Sequence, residues 1–268
     1  MAFEFDHLVH FVGSPEEAKE SLKRHGLHVV NGGRHEHGGT YNTLSYFDLS
    51  YVELIGVVNR SLAEKSAEKY SLRDTFKKDN YTIGLSRIAL RSLNLEVEAE
   101  RFKSLGLEVF GPFPLSRKRP DGSVVSWKLL FAGRENEELG LPFFIQWDDS
   151  DEERKADLTE QGTIAPHPKG DLKLSSIGFA VRNLDTTVEK WSKYLDLEKG
   201  ESFVDESLNA KGQKLKLVGG DIAFYSPIGD GIVAETLAER GEKPFLVDFT
   251  GSQKKEQFEE KNALYRFI

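Results

Sequence analysis

The chain has 268 residues, 38% of them hydrophobic and 30% charged, with 18 phenylalanines and no cysteine. This composition suits an ordinary globular chain with a sizeable core. It excludes disulfides and thiolate metal sites, so any metal would need histidine or carboxylate ligands. The formal net charge of −8 argues against nucleic acid or anionic membrane as a general partner, and no long apolar run marks a transmembrane helix.

The opening MAFEFDHLVHFVG has no basic run ahead of its apolar segment, which predicts a cytoplasmic chain without a signal peptide. Residues 5–12, rich in Val, Phe and Leu, read as a strand. Ser14, Pro15 and Glu17 have the spacing of a capping box with proline in the first turn. A helix should therefore run to Arg24 and stop at Gly26. A second strand is expected at 27–30. Next comes GGRHEHGGTYN, residues 32–42, whose four glycines weaken helix and strand alike and predict a loop. Two strands joined by a tight turn at 48–50 complete a β-α-β-β-β unit over residues 1–58. Residues 59–80 read as a helical surface insert, a solvated face with no chemistry.

The same order returns over 81–150. Arg87 stands where His7 stood, Asn94 where Ser14 stood, Phe102 where Leu22 stood and Gly106 where Gly26 stood, each shifted by 80 positions. SVVSWKLLFAG, after an RPDG turn, and LPFFIQWDD supply further strands. Residues 151–171, with a charge run and Pro/Gly content, read as an exposed linker. A third unit spans 172–268. It has a strand at 177–181, and a helix capped by Asn183 or Asp185 that carries Val188, Trp191 and Tyr194 on one face. A strand pair about Gly219-Gly220, a short helix near 232–240 and a strand at PFLVDF follow. The last two suggest a remnant of a fourth unit with no visible first strand. Residues 252–262 read as a helix or frayed tail.

This order predicts an α+β fold in which two units curl their bare faces into a cleft. His7, Val9 and Phe11 share one face of the first strand; Leu8, His10 and Val12 share the other, which should pack on the helix. Glu53, inside YVELIGV, is a carboxylate in an apolar strand, costly unless paired or bound. His7 with Glu53 reads either as a metal or acid–base pair in the cleft, or as a buried hydrogen-bonded pair. Arg87 reads as an anion anchor or as a salt-bridged surface arginine. His10, His25 and His28 read as structural, His37 as exposed, and His167 as a solvated linker residue or one that reaches the cleft. Trp127, Trp147 and Phe144 are cleft walls or core.

Paired units with DH on the first strand and ELI on the last resemble the vicinal oxygen chelate superfamily. More narrowly, residues 3–180 resemble its glyoxalase-like domain family through FDHLVHFV, GGRHEHGGTYN, YVELIGV, PFFIQW and PHPKG. The resemblance implies metal ligands on the first and last strands of each unit. Unit one offers His7 and Glu53. Unit two offers Arg87, with Ile145 or Gln146; unit three offers Ser176, with Ala223 or Phe224. His35 would add a third ligand for a divalent Zn, Ni, Fe or Mn ion. Glu53 and His35 would be catalytic, and Arg34, Thr40, Asn42 and Arg87 would bind substrate, the arginines by gripping a carboxylate or phosphate. The implied activity is metal-assisted lyase, isomerase or dioxygenase chemistry on a small oxygenated substrate. Two other readings stand beside it: a metal-free binding or sequestering protein, and an interaction module whose third unit pairs with a second copy in a homodimer.

Overall fold

The computed structural model describes residues 2–35, 38–119 and 122–268; His37 and the Pro120-Asp121 part of the RPDG turn lie outside the described residues. The first unit comprises β1 (Glu4–Phe11), α1 (Pro15–Arg24), β2 (Val30–His35), β3 (Thr40–Phe47) and β4 (Ser50–Val57). α1 begins where its cap predicts, with Ser14 Oγ accepting from the Glu17 amide at 3.3 Å. β2 lies later than expected and takes in Gly32 and Gly33. Among the described residues it is an edge strand bonded only to β3, and a register shift between Asn31 and Arg34 absorbs the glycines.

α2 (Arg60–Lys65) and α3 (Leu72–Lys78) form the insert. The second unit follows as β5 (Gly84–Arg91), α4 (Leu95–Ser104), β6 (Glu108–Lys118), β7 (Val124–Gly133) and β8 (Phe143–Trp147). β1 and β5 pair antiparallel, and each pairs in parallel with the last strand of its own unit, giving the order β2-β3-β4-β1-β5-β8-β7-β6. The pairs Val9↔Arg87 and His7↔Ala89 exchange under the 80-residue shift (7 + 80 = 87, 9 + 80 = 89), so a local twofold passes between β1 and β5.

After α5 (Asp151–Glu160), which occupies part of the stretch read as linker, come β9 (Gly170–Ala180), α6 (Leu184–Leu195), β10 (Lys199–Asp205), β11 (Ala210–Leu215) and β12 (Asp221–Pro227). The chain ends with α7 (Ile232–Arg240), β13 (Lys243–Ser252), β14 (Glu256–Glu260) and β15 (Ala263–Phe267). These strands form a second curled sheet, in the order β10-β11-β12-β9-β13-β15-β14. β13 pairs antiparallel with β9 and parallel with β15, as β5 does with β1 and β8. The segment PFLVDF is therefore itself the first strand of a shortened fourth unit. The expected helix or tail at 252–262 instead contains the strand β14 at its centre. Phe258 turns in to stack on Tyr265 at 5.1 Å, and Lys261 and Asn262, both at positive φ, turn the hairpin into β15.

The helix-bearing faces of the two sheets share one buried core, in which Leu8, Leu22 and Phe102 lie with Ile177, Trp191 and Phe249. His10 holds the halves together through Tyr265 Oη at 2.9 Å and the Lys261 carbonyl at 3.0 Å. α7 fills the concave side of the second sheet, with Val233 and Leu237 against Tyr225, Phe245 and Leu246. No described helix is long and apolar enough to cross a membrane.

Candidate functional site

The concave side of the first sheet holds a cavity of about 570 Å³, within the size range of small-molecule sites. His7 from β1, Arg34 and His35 from β2, Thr40 and Asn42 from β3 and Glu53 from β4 all line it; Arg87 does not.

His7 is fixed from behind. Its Nδ1 lies 2.6 Å from Asp6 Oδ1, and the Trp147 indole donates to Asp6 Oδ2 at 2.9 Å. Arg154 Nη2 stands 3.9 Å from that same oxygen. A carboxylate only accepts, so Nδ1 carries the proton and Nε2 faces the cavity. Burial works to raise the Asp6 pKa, but the hydrogen bond and charge of His7, with Arg154, hold it below the usual carboxylate value. The His7 ring stacks on Tyr51 at 4.5 Å between centroids, and Tyr51 stacks on Tyr46 at the same spacing. Burial pushes both tyrosine pKa values up, so both remain neutral hydroxyls.

Glu53 is the buried carboxylate that the strand pattern flagged. Its Oε1 accepts from Asn42 Nδ2 at 2.5 Å, and Asn42 Oδ1 accepts from the Gly33 amide at 2.8 Å, which fixes the Asn42 amide from both ends. Glu53 Oε2 lies 3.7 Å from His7 Nε2, close enough for attraction but too long for a hydrogen bond. Each atom therefore presents unused bonding capacity to the cavity.

His35 hydrogen-bonds Thr40 Oγ1 through Nδ1 at 2.8 Å. Burial lowers its pKa; Glu53 counters this, and Arg117, Arg73 and His7 reinforce it. His35 thus lies within electrostatic reach of the His7–Glu53 pair. Among the described residues, however, no group of three His, Asp or Glu side chains is placed to hold a metal ion. Asp6, Asn42 and Thr40 each engage one donor atom of His7, Glu53 and His35. The three-ligand grouping that the resemblance implied is not seen among the described residues.

Arg87 belongs to a separate cavity of about 320 Å³. Its guanidinium donates to Thr75 Oγ1 at 2.8 Å and to the Leu141 carbonyl, and burial pushes its pKa down to about 10. It is buried, so the surface reading fails. His167 is also buried rather than solvated: it accepts from the His28 amide at 2.9 Å and donates to the Tyr46 carbonyl at 2.8 Å. Trp127 and Trp147 line the main cavity, whereas Phe144 is core.

Several residues of the site escaped the sequence reading, among them Asp6 behind His7 and the cavity-lining Arg73, Arg117 and Arg154. The insert expected to carry no chemistry places Leu72, Arg73 and Phe76 of α3 on the cavity wall. Leu72 and Phe76, four apart, were the available sign of an inward face. At the corresponding place on the second sheet, Ser176 donates to Asp248, which is ion-paired with Arg266 at 2.7 Å. Arg266 in turn reaches Asp205, so this position is closed by a charge network.

Residues 5–195 match the model of the glyoxalase-like domain family. No curated protein matches the chain. Among solved structures, a hypothetical protein from Staphylococcus aureus is 24% identical, with 99% of each chain covered and a TM-score of 0.81. A mutant 4-hydroxymandelate synthase from Streptomyces coelicolor is 11% identical over 93% of this chain and 71% of its own, with a TM-score of 0.56. A methylmalonyl-CoA epimerase from Mycobacterium tuberculosis is 16% identical over 55% of this chain and 88% of its own, with a TM-score of 0.36. At these identities the likeness concerns the fold alone.

Proposed function

The chain belongs to the glyoxalase-like domain family of the vicinal oxygen chelate superfamily, and we propose that it is an enzyme that moves a proton on a small oxygenated substrate. The carrying observation is the pair His7 Nε2 and Glu53 Oε2, 3.7 Å apart on the cavity wall, with their other atoms tied to Asp6 and Asn42. Glu53 takes a proton from a carbon next to a carbonyl, and the C–H electrons pass into the carbonyl oxygen. In a hydroxyketone, the unprotonated His7 Nε2 takes the proton of the neighbouring hydroxyl and passes it to that oxygen, and return of the Glu53 proton to the former carbonyl carbon gives isomerase chemistry. Asp6 is a positioning residue that sets the His7 ring.

The test is deuterium exchange in D2O, followed by NMR over a panel of small 2-oxo acids and hydroxyketones. The wild type should exchange the hydrogen next to the carbonyl of at least one compound, and Glu53→Gln and His7→Gln should not. Exchange that survives Glu53→Gln would remove the proposal. The second reading, a metal-free binding protein of the same fold, is supported by Arg87, which stands in unit two where the resemblance implied a metal ligand. It requires panel members that raise the melting temperature without exchanging.

A further inference from the structure

The chain carries a net charge of −8, yet its main cavity is lined by five arginines and only three carboxylates. Two of the arginines are engaged. Arg119 forms a fork on Asp157 at 2.6 and 3.1 Å, and Arg154 reaches Asp151 and Asp6. Arg34 turns its guanidinium to the Tyr41 ring at 5.9 Å. Arg73 and Arg117, from the separate elements α3 and β6, have no carboxylate within ion-pair distance among the described residues. Arg73 spends its Nε on the Ser66 carbonyl at 3.2 Å, which orients the guanidinium without neutralising it.

The glycines beside His35 make room for these groups. A methyl group on Gly33 would collide with Arg117 Nη1, and one on Gly38 would collide with Arg73 Nη1 and touch the His35 Cβ. Neither glycine has a positive φ, so a close approach and not backbone conformation needs them. Arg73 and Arg117 both act electrostatically on His35, so both stand near it. Like charges that line one cavity repel, and the repulsion is relieved when an anion enters between them.

We propose that Arg73 and Arg117 form an oxyanion receptor at the rim of the cavity, and that the substrate carries a carboxylate or phosphate there with an apolar body reaching inward. Tyr51, Trp127 and Phe143 supply the wall for that body. The inference rests on the reading of this cavity as the substrate site and names the substrate class. Planar guanidinium forks from two elements suit a carboxylate or phosphate better than a neutral oxygen.

Calorimetric titration of the intact chain with phenylacetate, phenyl phosphate and the neutral phenylacetamide tests this. Binding of either anion, with phenylacetamide at least about tenfold weaker, is expected, and the stronger anion identifies the oxyanion. Arg73→Gln and Arg117→Gln should each weaken the preferred anion by about tenfold, with unchanged circular dichroism. Gly33→Ala is the second check, because it can be accommodated by displacing a flexible side-chain end while the fold stays intact. It should weaken the same anion. Equal binding of phenylacetamide, no binding of either anion, or anion binding untouched in all three variants would overturn the receptor. Binding needs no turnover. Intact anion binding without deuterium exchange would therefore count against the proton-transfer reading alone.

Discussion

Asp6 and His7 are consecutive, yet their side chains meet at 2.6 Å on one side of the sheet. In a regular strand they would point to opposite faces. The register of β1 against β5 slips between Phe5 and His7, leaving Asp6 as the extra residue of a bulge. That slip converts a dipeptide into a carboxylate–imidazole pair with Nε2 aimed at Glu53.

Asp6→Asn removes the charged acceptor behind His7. The His7 ring should then lose its fixed tautomer, and stability should fall by about 1.5–3 kcal/mol, the range for a hydrogen bond to a charged group. Long-range 15N–1H NMR of the imidazole should show Nδ1 protonated in the wild type and a mixture of tautomers in the variant. An unchanged spectrum would mean that Asp6 does not orient the ring.

Asn42 links the glycine-rich segment to Glu53 through hydrogen bonds at 2.8 and 2.5 Å. Asn42→Ala leaves a buried carboxylate oxygen without its donor and should cost about 1–3 kcal/mol in urea unfolding. A cost near zero would mean that water replaces the amide.

His10 gives a pH dependence with a definite sign. Burial lowers its pKa from 6.5 to about 4, against the helpful Lys261 carbonyl bond. Between these values the unfolded chain takes up a proton that the folded chain refuses, so stability falls as pH drops from 6.5 towards 4. The contribution is about 3 kcal/mol. His10→Gln should flatten the stability slope across that window, measured by urea unfolding at several pH values. An equal slope in the variant would assign it to other groups.

Arg87→Met strips the donors from Thr75 and from the buried Leu141 carbonyl, and should cost about 1–3 kcal/mol. Because Arg87 lines a separate cavity, phenylacetate binding should be unchanged in calorimetry. A loss of binding would show that the two cavities communicate.

The repeat was legible because cap, helix stop and strand recur at one constant shift, which the pairing of Val9 with Arg87 reproduces. Glu53 was legible because a carboxylate in YVELIGV breaks the apolar pattern. The role of Asp6 was hidden, because a bulge is a slip between strands distant in sequence and leaves no local period. Strand β2 was placed too early because glycines argue against a strand wherever the edge and its irregular register are unknown.

The arginines were hidden for a different reason. Arg73 sits in a short insert helix whose exposed residues suggested solvent on all sides, and only its folding across the concave face turns Leu72, Arg73 and Phe76 inward. The first strand of the fourth unit was overlooked because α7 precedes β13 and no helix follows it. Pairing with β9 identifies it, and that contact spans most of the second half of the chain.

The most direct test of the central claim is solvent deuterium exchange by wild type and Glu53→Gln side by side, on the oxo acids that bind at the arginine rim. The account predicts exchange next to the carbonyl in the wild type and a loss of at least about a hundredfold in Glu53→Gln, the low end for a general base, with binding retained. Equal exchange by the two proteins, or none by either on a bound oxo acid, would contradict it.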